Sequence, residues 1–255
     1  MNTMGLFSLK GETAIVTGAA RGLGKEMALA LADAGANIVI ADMDPEAAAL
    51  TESEIKQRGV DSISLKTDVC NQQDIDEMAL RAVERFGNID ILVNNAGIVN
   101  NYPAEELSVE DWDKVVKTDL SSVFYCSKRI AREMIKRKKG SIINIASMSG
   151  MVVNTPQPQC HYNAAKSGVI QLTRSLAAEW AKYNIRVNSI SPGYMGTEMV
   201  KRVLSQYGKY WFPLIPMGRV GEPSEIRGPV LFLASRAGSY VTGSNVVMDG
   251  GYTVW

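Results

Sequence analysis

From residue 13 to residue 24 the chain reads Thr13-Ala14-Ile15-Val16-Thr17-Gly18-Ala19-Ala20-Arg21-Gly22-Leu23-Gly24. The apolar run Thr13 to Thr17 predicts a buried strand, and the pattern from Leu23 to Ala34 predicts a helix. Glycines between a strand and a helix let the backbone turn sharply and bring the N–H groups of the helix close to a pyrophosphate, whose charge the helix dipole favours. This geometry predicts dinucleotide binding by Gly18, Arg21, Gly22, Leu23 and Gly24.

Short β-branched runs alternate with longer helical patterns along most of the chain. Further strands are predicted at 37–41, 61–67, 89–93, 141–146, 186–190 and 245–248. Amphipathic helical patterns occupy 108–138 and 161–183, and another helix opens at Pro45. Strands that are nearly continuous apolar runs are buried on both faces, as in a parallel sheet covered by helices. We therefore predict an α/β fold, a Rossmann-type doubly wound parallel sheet of about seven strands with helices on both faces, in one NAD(P)-binding domain over 1–255.

Composition excludes several classes of function. The 255 residues carry 27 Lys and Arg against 27 Asp and Glu, a net charge of zero that gives no reason to expect a nucleic acid or an anionic membrane as partner. Three dispersed cysteines and one histidine argue against a disulfide framework, a metal site and a Ser-His-Asp hydrolase. The chain shows neither a signal-peptide pattern nor about 18 successive apolar residues, which predicts a cytoplasmic protein.

An acidic residue follows the second predicted strand. Asp42 lies 18 positions beyond Gly24, close to the spacing of about 20 expected for a carboxylate that binds a ribose. Such a carboxylate accepts hydrogen bonds from the 2′-OH of adenosine and repels a 2′-phosphate, so NAD is preferred to NADP. Arg21 could still bind that phosphate. The alternative role of Asp42, the N-cap of the helix at Pro45, suits Asp44 better.

The glycine spacing is G-x-x-x-G-x-G, and further short motifs follow it in order. They are Asp68-Val69, Asn94-Asn95-Ala96-Gly97, Ser147, Tyr162-x-x-x-Lys166 and Pro192-Gly193-x-x-x-Thr197. In these motifs the sequence resembles the short-chain dehydrogenase/reductase family over essentially its whole length. Beyond the glycine stretch and Asp42, the resemblance implies cofactor contacts at Asp68, Val69, Asn95, Ala96, Gly97, Tyr162, Lys166, Pro192, Gly193 and Thr197.

Tyr162 and Lys166 are four residues apart in a predicted helix, so their side chains project from one face. A tyrosine with a reference pKa of about 10 transfers protons poorly at neutral pH, and a neighbouring ammonium stabilises the phenolate. The resemblance implies that Tyr162 exchanges a proton with an alcohol or carbonyl. It also implies that Lys166 lowers the pKa of Tyr162 and binds the nicotinamide ribose, and that Ser147 holds the substrate oxygen. The cofactor carries the hydride.

Two positions depart from the family pattern. Ser149 lies 13 residues before Tyr162, the commonest family separation, whereas Ser147 lies 15 before it. We prefer Ser147 because Gly150 then completes Ser-x-x-Gly, and Ser149 remains the alternative. Asp119 stands where the family has a catalytic asparagine that acts largely through its backbone carbonyl. The carboxylate could also pair with Lys166, and we expect Asp119→Asn to retain at least half the turnover, whereas a hundredfold loss would show that the carboxylate is required.

The loop before Tyr162 is polar, which suits a substrate with several hydroxyl groups. The equal alternative is that these side chains only fix the loop. The string from Pro156 to Lys166 and the C-terminal segment 249–255 look like polyol dehydrogenases and ketose reductases, and residues 7–11 are similar to gluconate 5-dehydrogenases. A lid at about 194–216 is predicted to cover the substrate, with core packing at a subunit contact as its alternative. The predicted substrate contacts are Ser149, Asn154, Gln159, His161, Tyr194 and Trp211.

The sequence thus predicts an oxidoreductase that transfers a hydride between NAD(H) and a secondary alcohol or ketone, most simply a sugar alcohol, ketose or sugar acid. The aromatic lid leaves a steroid or a 3-oxoacyl thioester as alternative substrates. A regulatory or scaffolding protein that binds NAD(H) without catalysis is the alternative outside enzymes, and Asp119 is the feature in its favour. By resemblance alone, the chain is expected to form a homotetramer through its long helices.

Overall fold

Seven strands form one parallel sheet in the computed structural model, which describes residues 2–255. They are β1 (Thr13–Thr17), β2 (Asn37–Asp42), β3 (Ser62–Lys66), β4 (Ile91–Asn94), β5 (Gly140–Ile145), β6 (Ile185–Pro192) and β7 (Asn245–Met248). Their order across the sheet is β3-β2-β1-β4-β5-β6-β7. The predicted fold class is confirmed, and the strand bounds differ from the predicted ones by one or two residues.

The helices lie on both faces of this sheet. They are α1 (Gly22–Asp33), α2 (Pro45–Lys56), α3 (Gln72–Phe86), α4 (Val109–Val116), α5 (Ser122–Arg137), α6 (Cys160–Trp180), α7 (Glu198–Trp211) and α8 (Arg227–Ala234). The core is divided accordingly, with α1, α2 and α8 packed on one face and α3, α5 and α6 on the other. Within β1, Ala14 and Val16 point to the first face and Ile15 to the second, and all three are fully buried. Burial on both sides explains why the strands read as continuous apolar runs.

The strand order reverses between β1 and β4, and parallel sheets bind ligands at such a reversal, beyond the carboxyl ends of the strands. Thr17 and Asn95 join the two strand ends. The Thr17 hydroxyl oxygen accepts from the N–H of Asn95 at 3.0 Å and of Ala96 at 3.1 Å. The Asn95 amide donates back to the carbonyls of Thr17 and Gly18 at 2.9 and 3.0 Å. These bonds fix the two loops that border the crevice.

A buried carboxylate braces the opposite end of the sheet. Asp90 Oδ2 accepts from the N–H of Thr13 at 3.0 Å, and Oδ1 accepts from the Arg137 guanidinium at 2.8 Å. The Lys139 ammonium lies 3.2 Å from the same Oδ1. The brace therefore ties the start of β1 and the end of α5 to the residue just before β4.

The helix predicted over 108–138 is interrupted. Between α4 and α5 the residues Lys117–Ser121 form a π-helical turn, which holds more residues than an α-helical turn. Hydrophobic periodicity predicts that a helix exists but does not reveal one wider turn inside it. The second long helix, predicted over 161–183, is α6 followed by a 3₁₀ turn over Ala181–Tyr183. In the chain from residue 2 onward, we find no helix that combines the length and apolar character needed to cross a bilayer.

Candidate active site

A cleft of about 1000 Å³ opens at the carboxyl ends of the strands. It contains every position predicted to bind the cofactor, and Ser147 and Asp119 line it as well. The predicted cofactor positions on its wall are Gly18, Arg21, Gly22, Leu23, Gly24, Asp42, Asp68, Val69, Asn95, Ala96, Gly97, Tyr162, Lys166, Pro192, Gly193 and Thr197.

The glycine turn at the start of α1 fits a pyrophosphate. Gly18 and Gly22 have φ of +63° and +57°, in the left-handed region that glycine adopts without a steric penalty. A Cβ on Gly18 would also lie 3.0 Å from Ala96 Cα. The first helical residue is Gly22, and no side chain caps the helix and no acidic residue occupies its first turn. The positive end of the α1 dipole therefore faces the cleft, and the helix itself contributes neither a capping side chain nor a first-turn carboxylate to neutralise it.

Asp42 lies at the end of β2, and backbone groups hold both of its carboxylate oxygens. Oδ2 accepts from the N–H of Ala20 at 2.9 Å, and Oδ1 accepts from the N–H of Asp44 at 3.0 Å. Asp44 caps α2 through the N–H of Ala47 at 3.1 Å, as predicted, and also pairs with Arg21 at 2.5 Å. Asp42 thus presents a fixed carboxylate to the cleft beside the glycine turn. Its neighbour Asp44 holds the Arg21 guanidinium.

Ser147, Tyr162 and Lys166 come together where β5 ends and α6 begins. Ser147 follows β5 and caps a 3₁₀ turn over Met148–Gly150. Gly150 lets this turn touch α6, since a Cβ there would lie 2.7 Å from the Lys166 carbonyl. The Lys166 ammonium donates to the carbonyl of Ile145 at 3.0 Å and lies 5.5 Å from the centre of the Tyr162 ring. The spacing Ser-x-x-Gly is therefore a packing requirement of this corner.

The pKa values of Tyr162 and Lys166 depend on Asp119 as well as on each other. Burial raises the pKa of Tyr162, the Lys166 ammonium lowers it, Asp119 raises it, and a hydrogen bond from Ser147 lowers it, with a net upward direction. Burial lowers the pKa of Lys166, but Asp119 and Tyr162 together raise it by more, so the ammonium keeps its proton. Tyr162 is thus a phenol in this state, the form that can donate a proton.

Asp119 lies in the π-helical turn and is fully buried. Its Oδ1 accepts from the N–H of Ile98 at 2.8 Å, and its Oδ2 lies 3.1 Å from the Lys166 ammonium. The second contact is an ion pair whose angles fall outside hydrogen-bond geometry. The carboxylate therefore connects the segment after β4 to the lysine, a contact that a backbone carbonyl alone would not provide.

The two candidate serines occupy different positions. Ser147 lines the cleft, whereas Ser149 is buried behind it with its hydroxyl 3.0 Å from that of Ser147. The Gln159 amide donates to Ser149 Oγ at 3.2 Å. Because the reacting oxygen of a substrate enters the cleft, this placement favours Ser147 as the serine that holds it.

Four side chains join the predicted lid to the loop before α6, and we call them the lid anchor: Asn154, Gln157, Tyr194 and Trp211. The Tyr194 hydroxyl accepts from the Asn154 amide at 3.1 Å and from the Gln157 amide at 2.8 Å. Trp211 stacks on Tyr194 with ring centres 3.8 Å apart and donates to Gln157 Oε1 at 3.2 Å. In this arrangement the Asn154 amide N–H, the Tyr194 hydroxyl oxygen and the Trp211 N–H all have protein partners, whereas Asn154 Oδ1 is buried without a hydrogen-bond partner among the described residues.

The remaining predicted substrate contacts are bonded to protein as well. Buried His161 pairs through Nε2 with the Asn100 side-chain oxygen, and Gln159 binds Ser149. None of the six predicted substrate residues belongs to the wall of the cleft. Their assignment as substrate contacts stays a prediction, and the contacts described here resemble those of the alternative, in which the side chains fix the loop.

Sequence reasoning missed part of the cleft wall. Ile98 and Val99 directly follow the Asn-Asn-Ala-Gly motif, and Met195 follows Pro192-Gly193, so their position beside recognised motifs was the available signal. Lys114 and Lys117 also line the cleft, and their spacing of three on a predicted helix places them on one face. The first three give the cleft an apolar wall, and the two lysines add positive charge to it.

Comparison with known proteins gives a consistent family. Residues 18–253 match the family model described as Enoyl-(Acyl carrier protein) reductase. A sorbose reductase from Candida albicans is 41% identical, over 99% of this chain and 90% of the relative. A probable NADP-dependent mannitol dehydrogenase from Yarrowia lipolytica is 43% identical, over 98% of this chain and 91% of the relative. The crystal structure of a short-chain type dehydrogenase/reductase from Mycobacterium marinum superposes with a TM-score of 0.96 at 41% identity, over 99% of both chains.

Proposed function

Because this chain belongs to the short-chain dehydrogenase/reductase family of oxidoreductases, we propose that it interconverts a sugar alcohol and a ketose with NAD(H). The observation that carries the proposal is the convergence of Ser147, Tyr162 and Lys166 on the cleft that begins at the glycine turn. The two relatives described above, a sorbose reductase and a probable mannitol dehydrogenase, support a polyhydroxylated substrate.

The nicotinamide cofactor supplies or accepts the hydride, and this chain handles the proton. In ketose reduction the Tyr162 hydroxyl donates its proton to the substrate oxygen, and in alcohol oxidation its phenolate takes that proton back. Ser147 donates a hydrogen bond to the same oxygen as negative charge develops on it. The Lys166 ammonium, anchored on the carbonyl of Ile145, stabilises the phenolate and would bind the nicotinamide ribose.

The preference for NAD over NADP belongs to the proposal. It is supported by the fixed Asp42 carboxylate, which accepts from a ribose hydroxyl and repels a 2′-phosphate, and by Asp44, which pairs with Arg21. We expect Asp42→Ala to lower the ratio of kcat/KM for NAD to kcat/KM for NADP about tenfold or more, worth about 1.4 kcal/mol. Arg21→Ala is the matched control, because it should reduce the use of NADP alone. An unchanged ratio in Asp42→Ala, or a wild-type protein that prefers NADP, would contradict the role of this carboxylate.

The substrate is tested by initial rates followed through NAD(P)H absorbance. NAD and NADP are paired with sorbitol, mannitol, xylitol, arabinitol and gluconate, and the reduced cofactors with fructose, sorbose and 5-ketogluconate. Turnover of one of these with NAD(H) supports the proposal. Turnover of only a steroid ketone or an acetoacetyl thioester would refute the polyol assignment and keep the roles of Tyr162 and Lys166. Cofactor binding without any turnover would refute the activity.

We further propose a homotetramer that resides in the cytoplasm. Exposed apolar side chains on α4 and α5, Val109, Trp112 and Phe124, support an assembly through these helices. Light scattering after gel filtration measures the assembly, and fractionation of cells measures the location. A monomer in solution or recovery from another compartment would contradict the respective statement.

A further inference from the structure

The three residues that follow the Asn-Asn-Ala-Gly motif are Ile98, Val99 and Asn100, and we call them the wall segment. Its two ends are tied to the interior of the protein. At one end the N–H of Ile98 donates to Asp119 Oδ1 at 2.8 Å. At the other end the side-chain oxygen of Asn100 pairs with Nε2 of His161. Asp119 and His161 are fully buried, so neither tie is exchanged with water and the backbone between them is fixed.

A second hydrogen bond decides which atoms of Asn100 and His161 face each other. The Asn100 amide nitrogen donates to Asp111 Oδ1 at 3.3 Å, so the amide oxygen is the atom left for the imidazole. An amide oxygen only accepts, and Nε2 of His161 therefore carries the hydrogen. The tie between the wall segment and α6 is thus a hydrogen bond with a defined donor and a defined acceptor, and a substitution can remove or replace either of them.

The wall segment leads from the cofactor side of the reacting corner toward the substrate side. Its first tie ends on Asp119, which lies 3.1 Å from the Lys166 ammonium. Its second tie ends on His161, the residue directly before Tyr162 on α6. Lys166 lies about one helical turn beyond Tyr162. The middle residue of the segment, Val99, therefore lies where a substrate bound at Tyr162 would extend away from the cofactor.

Val99 is the residue of this segment whose side chain is free to meet a substrate. It lines the cleft, it is 37% exposed, and within residues 2–255 it belongs to none of the apolar core clusters. Ile98 is half-buried, and the side chain of Asn100 is used in the tie. We propose that Val99 determines substrate specificity by limiting the size of the group that projects from the reacting carbon, and that the tie between Asn100 and His161 holds it there. The inference deepens the proposed function and rests on it, because it needs a substrate at the Tyr162 hydroxyl.

Two substitutions of opposite size test the limit. The measured quantity is the ratio of kcat/KM for sorbitol to kcat/KM for xylitol, since sorbitol has one more carbon to pass the side chain of Val99. One methylene against an apolar wall changes specificity about 10- to 200-fold. Val99→Ala should therefore raise the ratio about tenfold and Val99→Phe should lower it about tenfold, while KM for the cofactor stays nearly constant. A loss of folded protein would lower both values of kcat/KM alike and leave their ratio unchanged.

A double-mutant cycle tests the tie. Asn100→Ala removes the acceptor without changing α6, so the wall segment can move aside, and in this background Val99→Ala should change the ratio by less than about threefold. His161→Gln still offers an N–H to Asn100 and should keep the full effect of Val99→Ala. Val200→Ala is the matched control, because it makes the same truncation on the α7 side of the cleft. Its effect on the ratio should be equal with and without Asn100→Ala.

Three outcomes would overturn the proposal. The first is a ratio that neither Val99 variant changes, and the second is a ratio that both variants move in the same direction. The third is an effect of Val99→Ala that is as large in the Asn100→Ala background as alone, which would show that the tie does not hold the wall. If the wild-type protein turns over no polyol but another class of alcohol or ketone, two members of that class that differ by one carbon replace sorbitol and xylitol. A failed polyol assignment and a failed role of Val99 therefore give different results.

Discussion

Replacing Asp119 by asparagine removes the negative charge that contacts the Lys166 ammonium while keeping the size of the side chain. In the wild-type protein this carboxylate raises the pKa of Tyr162, and Lys166 lowers it. Without the carboxylate, the ammonium acts on the phenol unopposed. The substitution should therefore make the phenolate easier to form and lower the pKa of Tyr162.

The geometry sets the size of the effect. The Oδ2–Nζ distance is 3.1 Å, and Nζ lies 5.5 Å from the centre of the Tyr162 ring. The carboxylate is thus within about 9 Å of the ring, where two unit charges at an effective dielectric constant of about 20 interact with about 2 kcal/mol. Such an energy changes the ratio of phenolate to phenol by a factor of about 30.

The assay is the pH dependence of kcat/KM in both directions. Alcohol oxidation needs the phenolate, so its rise with pH should begin at lower pH in Asp119→Asn. Ketone reduction needs the phenol, so its decline at alkaline pH should also move to lower pH. At its own optimum the variant should keep at least half the wild-type turnover, because asparagine can still accept from the N–H of Ile98.

Two results would refute this reasoning. If both profiles coincide with those of the wild type, Asp119 has no electrostatic effect on Tyr162. If they move to higher pH, Lys166 has lost its proton and the carboxylate acted mainly by keeping it charged. Asp119→Ala is the control, because it removes the same charge and the contact with Ile98, and it should show the same direction of movement with a lower maximal rate.

Two further substitutions test the frame around the site. Tyr194→Phe leaves the buried amides of the lid anchor without their shared acceptor, and a buried donor without an acceptor costs about 1–3 kcal/mol. The KM for the substrate should therefore rise several-fold in initial-rate assays, while the KM for the cofactor stays nearly constant. Equal changes in both KM values would contradict a role confined to the lid. Asp90→Asn removes the charge that Arg137 and Lys139 face at the far end of the sheet and should lower the free energy of unfolding by about 2 kcal/mol, the size of a hydrogen bond to a charged group, seen as a fall of a few degrees in Tm. Its kcat should not change, and a changed kcat at unchanged Tm would show that this end of the sheet affects the chemistry.

The fold could be predicted because its main determinants are local. Each buried strand is a continuous apolar run, and the glycine turn lies between β1 and α1 as expected. The π-helical turn could not be predicted, because the residue types at 117–121 do not distinguish a π-helical turn from an α-helical one, and the wider turn is visible only in the backbone. The order of the strands in the sheet also cannot be predicted from their spacing along the sequence, since pairing of β1 with β4 depends on contacts between residues far apart in the chain.

The candidate site was predictable where a motif fixes backbone geometry, as at Gly18, Asp42 and Tyr162. The site was less predictable where the role of a residue depends on which side chain it contacts. The polar residues 154–161 suggest substrate contacts by composition, but in the structure Gln159 and His161 bind Ser149 and Asn100. A sequence gives the inventory of donors and acceptors, whereas their pairing is set by packing of elements distant in the chain.

The π-helical turn has a consequence for how this chain can change in length. Because consecutive residues of an α-helix are rotated by about 100°, deleting one residue from 117–121 would let 109–137 relax to a continuous α-helix and turn Asp119 away from Lys166 or shift α4 against α6. Segment exchange between relatives should therefore place its crossovers before residue 109 or after residue 137. An aligned relative with a gap inside this turn would be expected to hold its lysine by a different contact.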